Sequence, residues 1–341
     1  MAMAHLLVGN PTAQSGRNAE RIGRARDLLA AAGIEHGFVA TAPAGATVEV
    51  VAGAVAADPS IRTVISMGGD GTFAEVAKGI LASGRARDVR LAMLPTGTAN
   101  DQGKSFGLGA SDDDLPRNVE VIRRGAERAI DVGVLTALGA GGAVVRRDQF
   151  FDSAGWGISP RVLQKRNEDR AAIAAVPVLR DVYRDHLVYA GAFARTFLAS
   201  YVEEHKVDAR AIVDGRTVLL PGLTDLVIKA TRVYGGMWVF DRESQPDDGL
   251  FEVVPFTGKR DWISKALVHH DWSPVTPEQL AAFGVRHSEG YRGARIEVEF
   301  AERPGAVPLC AQIDGEEFPA TPRAVIEVTP RALRLVVPEG P

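Results

Sequence analysis

The sequence predicts an N-terminal α/β domain with a doubly wound parallel sheet, followed by an antiparallel β-sandwich. Three observations carry this. Strand-like and amphipathic helical segments alternate over the first third of the chain, and several of those strands run into glycine-bearing loops. After Asp131, strand-like segments follow one another with little helix between them. Strands alternating with helices indicate a parallel sheet covered on both faces, whereas strand upon strand indicates a sandwich.

In order, His5–Gly9 reads as a strand and Asn18–Ala32 as a helix closed by Gly33. Strand Ile34–Ala40, helix Thr47–Ala57, strand Arg62–Met67, helix Phe73–Ala82 and strand Val89–Leu94 follow. The helix after Met67 places Phe73, Val76, Ala77, Ile80 and Leu81 on one face, as a helix packed on a sheet requires. Val132–Leu138 and Ala143–Phe151 read as strands joined by the turn Gly139-Ala140-Gly141-Gly142. Further strands are expected at Ala211–Leu219, Asp225–Thr231, Leu250–Pro255, Ala294–Phe300 and Leu309–Ile313. A helical insertion is expected over about 160–202, broken at Pro177. The expected division is 1–131 plus 322–341 for the first domain and 132–321 for the second.

Composition narrows the function. In 341 residues, 39 Lys+Arg stand against 43 Asp+Glu, which speaks against general nucleic-acid binding. One cysteine, Cys310, excludes an internal disulfide and fits a reducing compartment. The first residues lack a basic signal-peptide region, and no apolar run is long enough to cross a bilayer. The expected location is cytoplasmic, at most peripheral at the inner membrane face.

Three loops follow strands of the α/β half, where such folds bind ligands. They are Gly9-Asn10-Pro11-Thr12-Ala13-Gln14-Ser15-Gly16-Arg17, Gly68-Gly69-Asp70-Gly71-Thr72, and Pro95-Thr96-Gly97-Thr98-Ala99-Asn100-Asp101. Glycine lets backbone approach a phosphate, and N–H groups at a helix start supply donors. Neither a P-loop nor a dinucleotide fingerprint is present.

GGDGT at 68–72 with Glu75, then PTGTAND at 95–101, resembles the catalytic domain of the diacylglycerol kinase family, which includes bacterial lipid kinases and sphingosine kinases and is related to NAD kinases. Asn10 to Arg17 resembles the family's first nucleotide loop. Asp131-Val132-Gly133, Gln245 to Leu250 and Ile313-Asp314-Gly315-Glu316 fall in the family's order. The resemblance implies a final strand returning to the first domain, for which Ala324–Val328 and Leu333–Val337 are available, and ATP in the cleft between domains. Two segments depart from it: Gln102-Gly103-Lys104 replaces the usual aromatic, small residue and arginine, and His269-His270-Asp271-Trp272 has no counterpart. A zinc site at those histidines is disfavoured against a surface loop, because adjacent side chains diverge.

The resemblance implies an ATP- and Mg²⁺-dependent kinase acting on a lipid hydroxyl, diacylglycerol-like or sphingoid. Gly68, Gly69, Gly71, Thr72, Gly97, Thr98, Asn100 and Asp101 would hold the nucleotide, with Asn10, Thr12 and Arg17 from the first loop. Glu75 would reach the ribose or a metal-bound water. Asp70 would act through Mg²⁺ or orient phosphates; its structural alternative is a helix N-cap. Asp314 is implied as the base, with Glu316 beside it, although a solvated hairpin turn would use the same residues. Asp247 and Asp248 are implied ligands of a second, structural Mg²⁺, or else a turn, and Asp131 joins the acidic network through Mg²⁺ and water. Partners expected are ATP, a lipid and transiently a membrane surface, with no nucleic acid; a homodimer is left open. The apolar and basic residues of 161–202 could suit a bilayer face, but a helix packed over the sandwich is the preferred reading. The rival readings are an NAD kinase, a kinase of a non-lipid alcohol, and a non-catalytic nucleotide-binding regulator.

Overall fold

The computed structural model describes residues 4–12, 17–164, 206–269, 275–285, 287–301 and 309–339. The chain opens with β1 (Ala4–Gly9), α1 (Arg17–Ala31), β2 (His36–Ala40), α2 (Thr47–Ala57), β3 (Ile61–Gly68), α3 (Asp70–Ala82) and β4 (Arg90–Pro95). The four strands run parallel in the order β2-β1-β3-β4. Leu7, Val8, Val64, Ile65, Leu91 and Leu94 are fully buried, as central strands covered on both faces require. On α3, Phe73, Val76, Ala77 and Ile80 are buried, the predicted face. Gly79 lets α3 close onto α2, since a Cβ there would lie 2.6 Å from Val51 Cβ.

Two short helices, α4 (Asp101–Ser105) and α5 (Asp114–Arg124), lead to β5 (Glu127–Leu138). That strand pairs antiparallel along its whole length with the final strand, β18 (Arg323–Val336). Arg334 and Leu335 of β18 also pair in parallel with Arg90 and Leu91 of β4, so the chain's end completes the first sheet. The segments expected as two pieces are one strand, interrupted by a bulge between Thr329 and Leu333 where Arg331 takes φ 49°. Asp131 holds that bulge. Its Oδ1 accepts from Arg331 N at 2.7 Å, and its Oδ2 accepts from Gly249 N at 2.7 Å.

The other half of β18 pairs with β15 (Arg295–Ala301), which continues to β8 (Val207–Val213) and β9 (Arg216–Leu223), while β5 pairs with β6 (Val144–Phe150) through the predicted glycine turn. A second, antiparallel sheet faces this continuation: β14 (Tyr291–Gly293), β13 (Phe251–Phe256), β10 (Asp225–Lys229), β7 (Ser153–Gly157), β16 (Ala311–Ile313) and β17 (Glu316–Phe318). Phe150, Trp156, Ile228, Phe251, Ile296 and Ile326 fill the space between them. A hairpin, β11 (Val233–Tyr234) and β12 (Trp238–Val239), and helices α6 (Lys259–Val268) and α7 (Pro277–Ala282) cover the outside, with Trp262 stacked on Phe256.

The sequence reading places no helix between 95 and 131 and none at 259–282; tertiary packing makes α4 to α7 there. The expected helix over 160–202 lies outside the described residues beyond its first turns, which are helical up to 164. Because β5 and β18 join the parallel strands to the sandwich strands within one ten-stranded sheet, Leu335→Ala, at a fully buried site, is expected to lower the unfolding free energy by ~2–5 kcal/mol. Urea unfolding should show tryptophan fluorescence and far-ultraviolet circular dichroism moving together, since losing the ribbon frees both sheets.

Candidate active site

The site forms where the carboxyl ends of β3 and β4 meet the second sheet. The GGDGT and PTGTAND loops touch by backbone: a Cβ on Gly97 would lie 2.5 Å from Gly69 Cα, so only glycine fits. Thr96 N donates to Gly68 O at 2.8 Å. Asn100, at φ 52°, accepts from Gly97 N at 2.9 Å and donates to Gly97 O at 2.6 Å, bracing its own loop. Thr98 is exposed at the loop tip, and Glu75 is half-buried on α3. The Thr72 side chain packs over Gly68.

The two acidic residues of these loops act as joints. Asp70 opens α3, and its Oδ1 accepts from Gln102 N at 3.1 Å, tying α3 to α4. Asp101 opens α4 and accepts from Gly235 N at 2.8 Å and from Gly236 N, in the β11–β12 turn of the second domain. Lys104 Nζ donates to Gly236 O at 2.6 Å, so the departing Gln102-Gly103-Lys104 segment serves the same junction.

From the sandwich side comes the β16–β17 turn. Asp314 and Gly315 take φ 47° and 79°, both left-handed, as a two-residue hairpin turn demands. The Asp314 carboxylate accepts from three consecutive amides, Phe151 N at 2.9 Å, Asp152 N at 2.8 Å and Ser153 N at 3.2 Å. Its Oδ2 takes only the Phe151 donor, leaving it a lone pair. Glu316 hangs over the GGDGT loop: a Cβ on Gly71 would lie 3.9 Å from Glu316 Oε1. Phe151 also meets Phe73 of α3 edge-on, ring centroids 5.8 Å apart. Structure therefore brings Asp70, Asp101, Asp314 and Glu316 to one junction.

It adds three residues that sequence reasoning missed. Asp152 receives Lys229 Nζ at 2.7 Å and Thr231 Oγ1 at 2.5 Å, all buried. The available signal was Lys229 closing a strand with an apolar centre, Asp225-Leu226-Val227-Ile228-Lys229.

Burial pushes the Asp101 carboxyl up to about 8, helped by the charges of Asp152 and Asp70 and opposed by Lys229. Burial and then Asp152 push Asp314 up to about 7 against its three amide donors. Burial likewise raises Asp70. All three lie near other carboxylates at the junction of the loops and the sandwich, an arrangement suited to proton acceptance near neutral pH.

Of the other predicted residues, those of the first loop follow Gly9, which pairs with Met67 at the end of β3. Asn10 accepts from Thr12 N at 3.0 Å and Thr12 Oγ1 at 2.8 Å, shaping the first loop; the Arg17 side chain and residues 13–16 lie outside the described residues. Asp131 and Asp247–Gly249 do come together, but their oxygens face protein donors. Arg128 grips Asp247 through two bonds, at 2.9 Å and 2.5 Å, while Asp131 holds the strand bulge. Asp248 accepts from Leu250 N at 3.0 Å. Among the described residues no cluster of three His, Cys, Asp or Glu converges as a metal centre. This carboxylate set, as arranged, does not fit a resident Mg²⁺. His269 ends α6, with its ring 5.9 Å from that of His287, while His270 and Asp271 lie outside the described residues.

Residues 4–135 match the family model for the diacylglycerol kinase catalytic domain. No curated protein matches the chain. A crystal structure of a diacylglycerol kinase from Bacillus anthracis str. Sterne shares the fold, with TM-score 0.67 at 16% identity over 98% of this chain and 97% of that one. Another from that organism, a candidate diacylglycerol kinase, has TM-score 0.66 at 17% identity over the same shares.

Carboxylates whose folded values are raised bind protons that the unfolded chain has released, so they stabilise below the unfolded value and lose that contribution as pH rises through the folded one. The melting temperature is expected to fall as pH rises from the ordinary carboxylate value, 3.8, to about 7 and about 8, the folded values of Asp314 and Asp101, and to level off above them. Asp314→Asn should flatten part of that fall in a scan by differential fluorimetry.

Proposed function

We propose, from the premise that residues 4–135 belong to the diacylglycerol kinase catalytic-domain family, that the chain transfers the γ-phosphoryl group of ATP to a hydroxyl of a lipid. The observation that carries this is the meeting of two glycine loops with a raised, amide-held carboxylate from the opposite domain. The loops offer backbone N–H groups and the start of α3 to the nucleotide phosphates. Asp314 offers the lone pair for the acceptor's proton.

Mg²⁺ enters on the phosphates of ATP, as part of the substrate, and neutralises their charge. The acceptor oxygen forms a bond to the γ-phosphorus as the bond from that phosphorus to the β,γ-bridging oxygen breaks. ADP leaves with the bond's electrons, and the hydroxyl proton passes to Asp314 Oδ2. A carboxyl at about 7 suits this step, since it is part ionised and holds a proton well once it has one. Glu316 lies over Gly71, at the edge of the loop that would hold the phosphates. Asp101 holds the second domain's hairpin and so sets the cleft's width.

The lipid as acceptor rests on the family. No described helix is long and apolar enough to cross a membrane, so the lipid would be met from one side of a surface.

Two measurements test the reading. With Mg·ATP and dioleoylglycerol, phosphatidylglycerol, sphingosine, ceramide or NAD, Asp314→Asn should lower kcat by roughly 10²–10⁴ while ATP affinity stays within a few-fold. Turnover with NAD alone would replace the lipid by a nucleotide acceptor. Gly97→Ala should abolish ATP binding in calorimetry, because the added Cβ drives the two loops apart; unchanged affinity would remove these loops from the nucleotide site.

A further inference from the structure

Asp152 and Lys229 lie in the middle of the site, and nothing in the proposed chemistry uses them. Their side chains are 6% and 3% exposed, and the ion pair spans 2.7 Å. Lys229 is saturated: its ammonium also donates to Val233 O at 2.7 Å and lies 5.2 Å from the Tyr234 ring centroid. Asp152 is equally engaged, with Thr231 Oγ1 at 2.5 Å and Ser153 Oγ at 3.0 Å.

A buried ion pair is a weak source of stability, because desolvation cancels much of its attraction. Its placement here is informative. Asp152 belongs to the three-residue peptide whose amides hold Asp314, and Lys229 begins the segment whose turn, at Gly235 and Gly236, holds Asp101. The pair therefore connects the mount of one acidic residue to the mount of the other.

We propose that Asp152 and Lys229 are the positioning pair of this site, fixing the Asp314 mount against the Asp101 clamp and setting the charge balance in which Asp314 takes the acceptor's proton. Neither touches substrate. The proposal rests on reading Asp314 as the base. The charges around Asp314 are Asp152 on the β6–β7 connection, Glu316 and Glu317 on its own hairpin, and, around Asp152, Asp70, Asp101 and Lys229. Asp152 opposes ionisation of Asp314 and of Asp101, while Lys229 favours that of Asp101. Removing one member of the pair should thus move Asp314 one way, and removing the other should move it the opposite way. A scaffold role alone has no such sign.

The test titrates the full chain carrying aspartate labelled with ¹³C at the side-chain carboxyl, the Asp314 signal being the one lost in Asp314→Asn. Asp152→Asn, whose Oδ1 can keep the Lys229 and Thr231 donors while the bond from Ser153 Oγ is lost, should move the Asp314 midpoint down from about 7 by about one unit. Lys229→Met should move it up. The double variant, neutral in both places, should fall between them and serves if Lys229→Met alone does not fold. With dioleoylglycerol micelles and Mg·ATP, the acidic limb of kcat/KM should follow in the same directions with KM for ATP unchanged. An Asp314 midpoint unmoved by Asp152→Asn, or moved the same way by both single variants, overturns the proposal. If Asp314→Asn turns over normally, the base assignment fails and the proposal with it. If Asp314→Asn is inactive and the midpoint stays put, only the pair is refuted.

Discussion

The bent ribbon of β5 and β18 is the constraint on which the rest of the molecule depends. One pair of strands runs from the parallel sheet into the sandwich, so the two halves cannot be arranged independently. A regular ribbon would carry one sheet straight into the other. The bulge at 329–333, with Arg331 left-handed, bends it, and Asp131 fills the amide positions that the bulge exposes. The bend brings the carboxyl ends of β3 and β4 beneath the β16–β17 turn. Gly71 then lies under Glu316, and Phe73 meets Phe151. Lys78 on α3 adds a 2.6 Å ion pair to Asp148 on β6 across the same seam.

That geometry collects negative charge. Asp70, Asp101, Asp152 and Asp314 gather at the junction with Lys229 as the buried cation among them. Each carboxylate is held by donors rather than left bare: amides of Gln102, Gly235, Phe151 and Ser153, and the Thr231 hydroxyl. Burial still dominates for Asp101 and Asp314. The molecule thus keeps carboxyl groups that titrate near neutrality, at a cost in stability above that pH. Proteins retain such arrangements where a proton has to move.

Much of the fold was legible because its signals are local. The α3 face of Phe73, Val76, Ala77 and Ile80 is an amphipathic period, and the glycines of GGDGT mark a close approach found at Gly97. What was illegible depends on distance along the chain. Asp152 and Lys229 are 77 residues apart, and neither has a motif around it. Asp131 stood in the right neighbourhood, beside 247–249, yet it is held between the Gly249 amide and that of Arg331, which a bulge in β18 presents 200 residues later. Helix α5 hides its apolar face, Leu115, Val119 and Ile122, among charged residues and behind Pro116. Asn100 was expected to face the nucleotide; its side chain instead closes its own loop on Gly97.

The most direct test is a crystal structure of the chain with Mg²⁺ and a non-hydrolysable ATP analogue. Phosphates are expected over Gly69 and Gly97 at the start of α3, with the γ-phosphate facing Asp314 Oδ2 across a gap for one hydroxyl. An analogue bound elsewhere, or one whose γ-phosphate points away from Asp314, would contradict it.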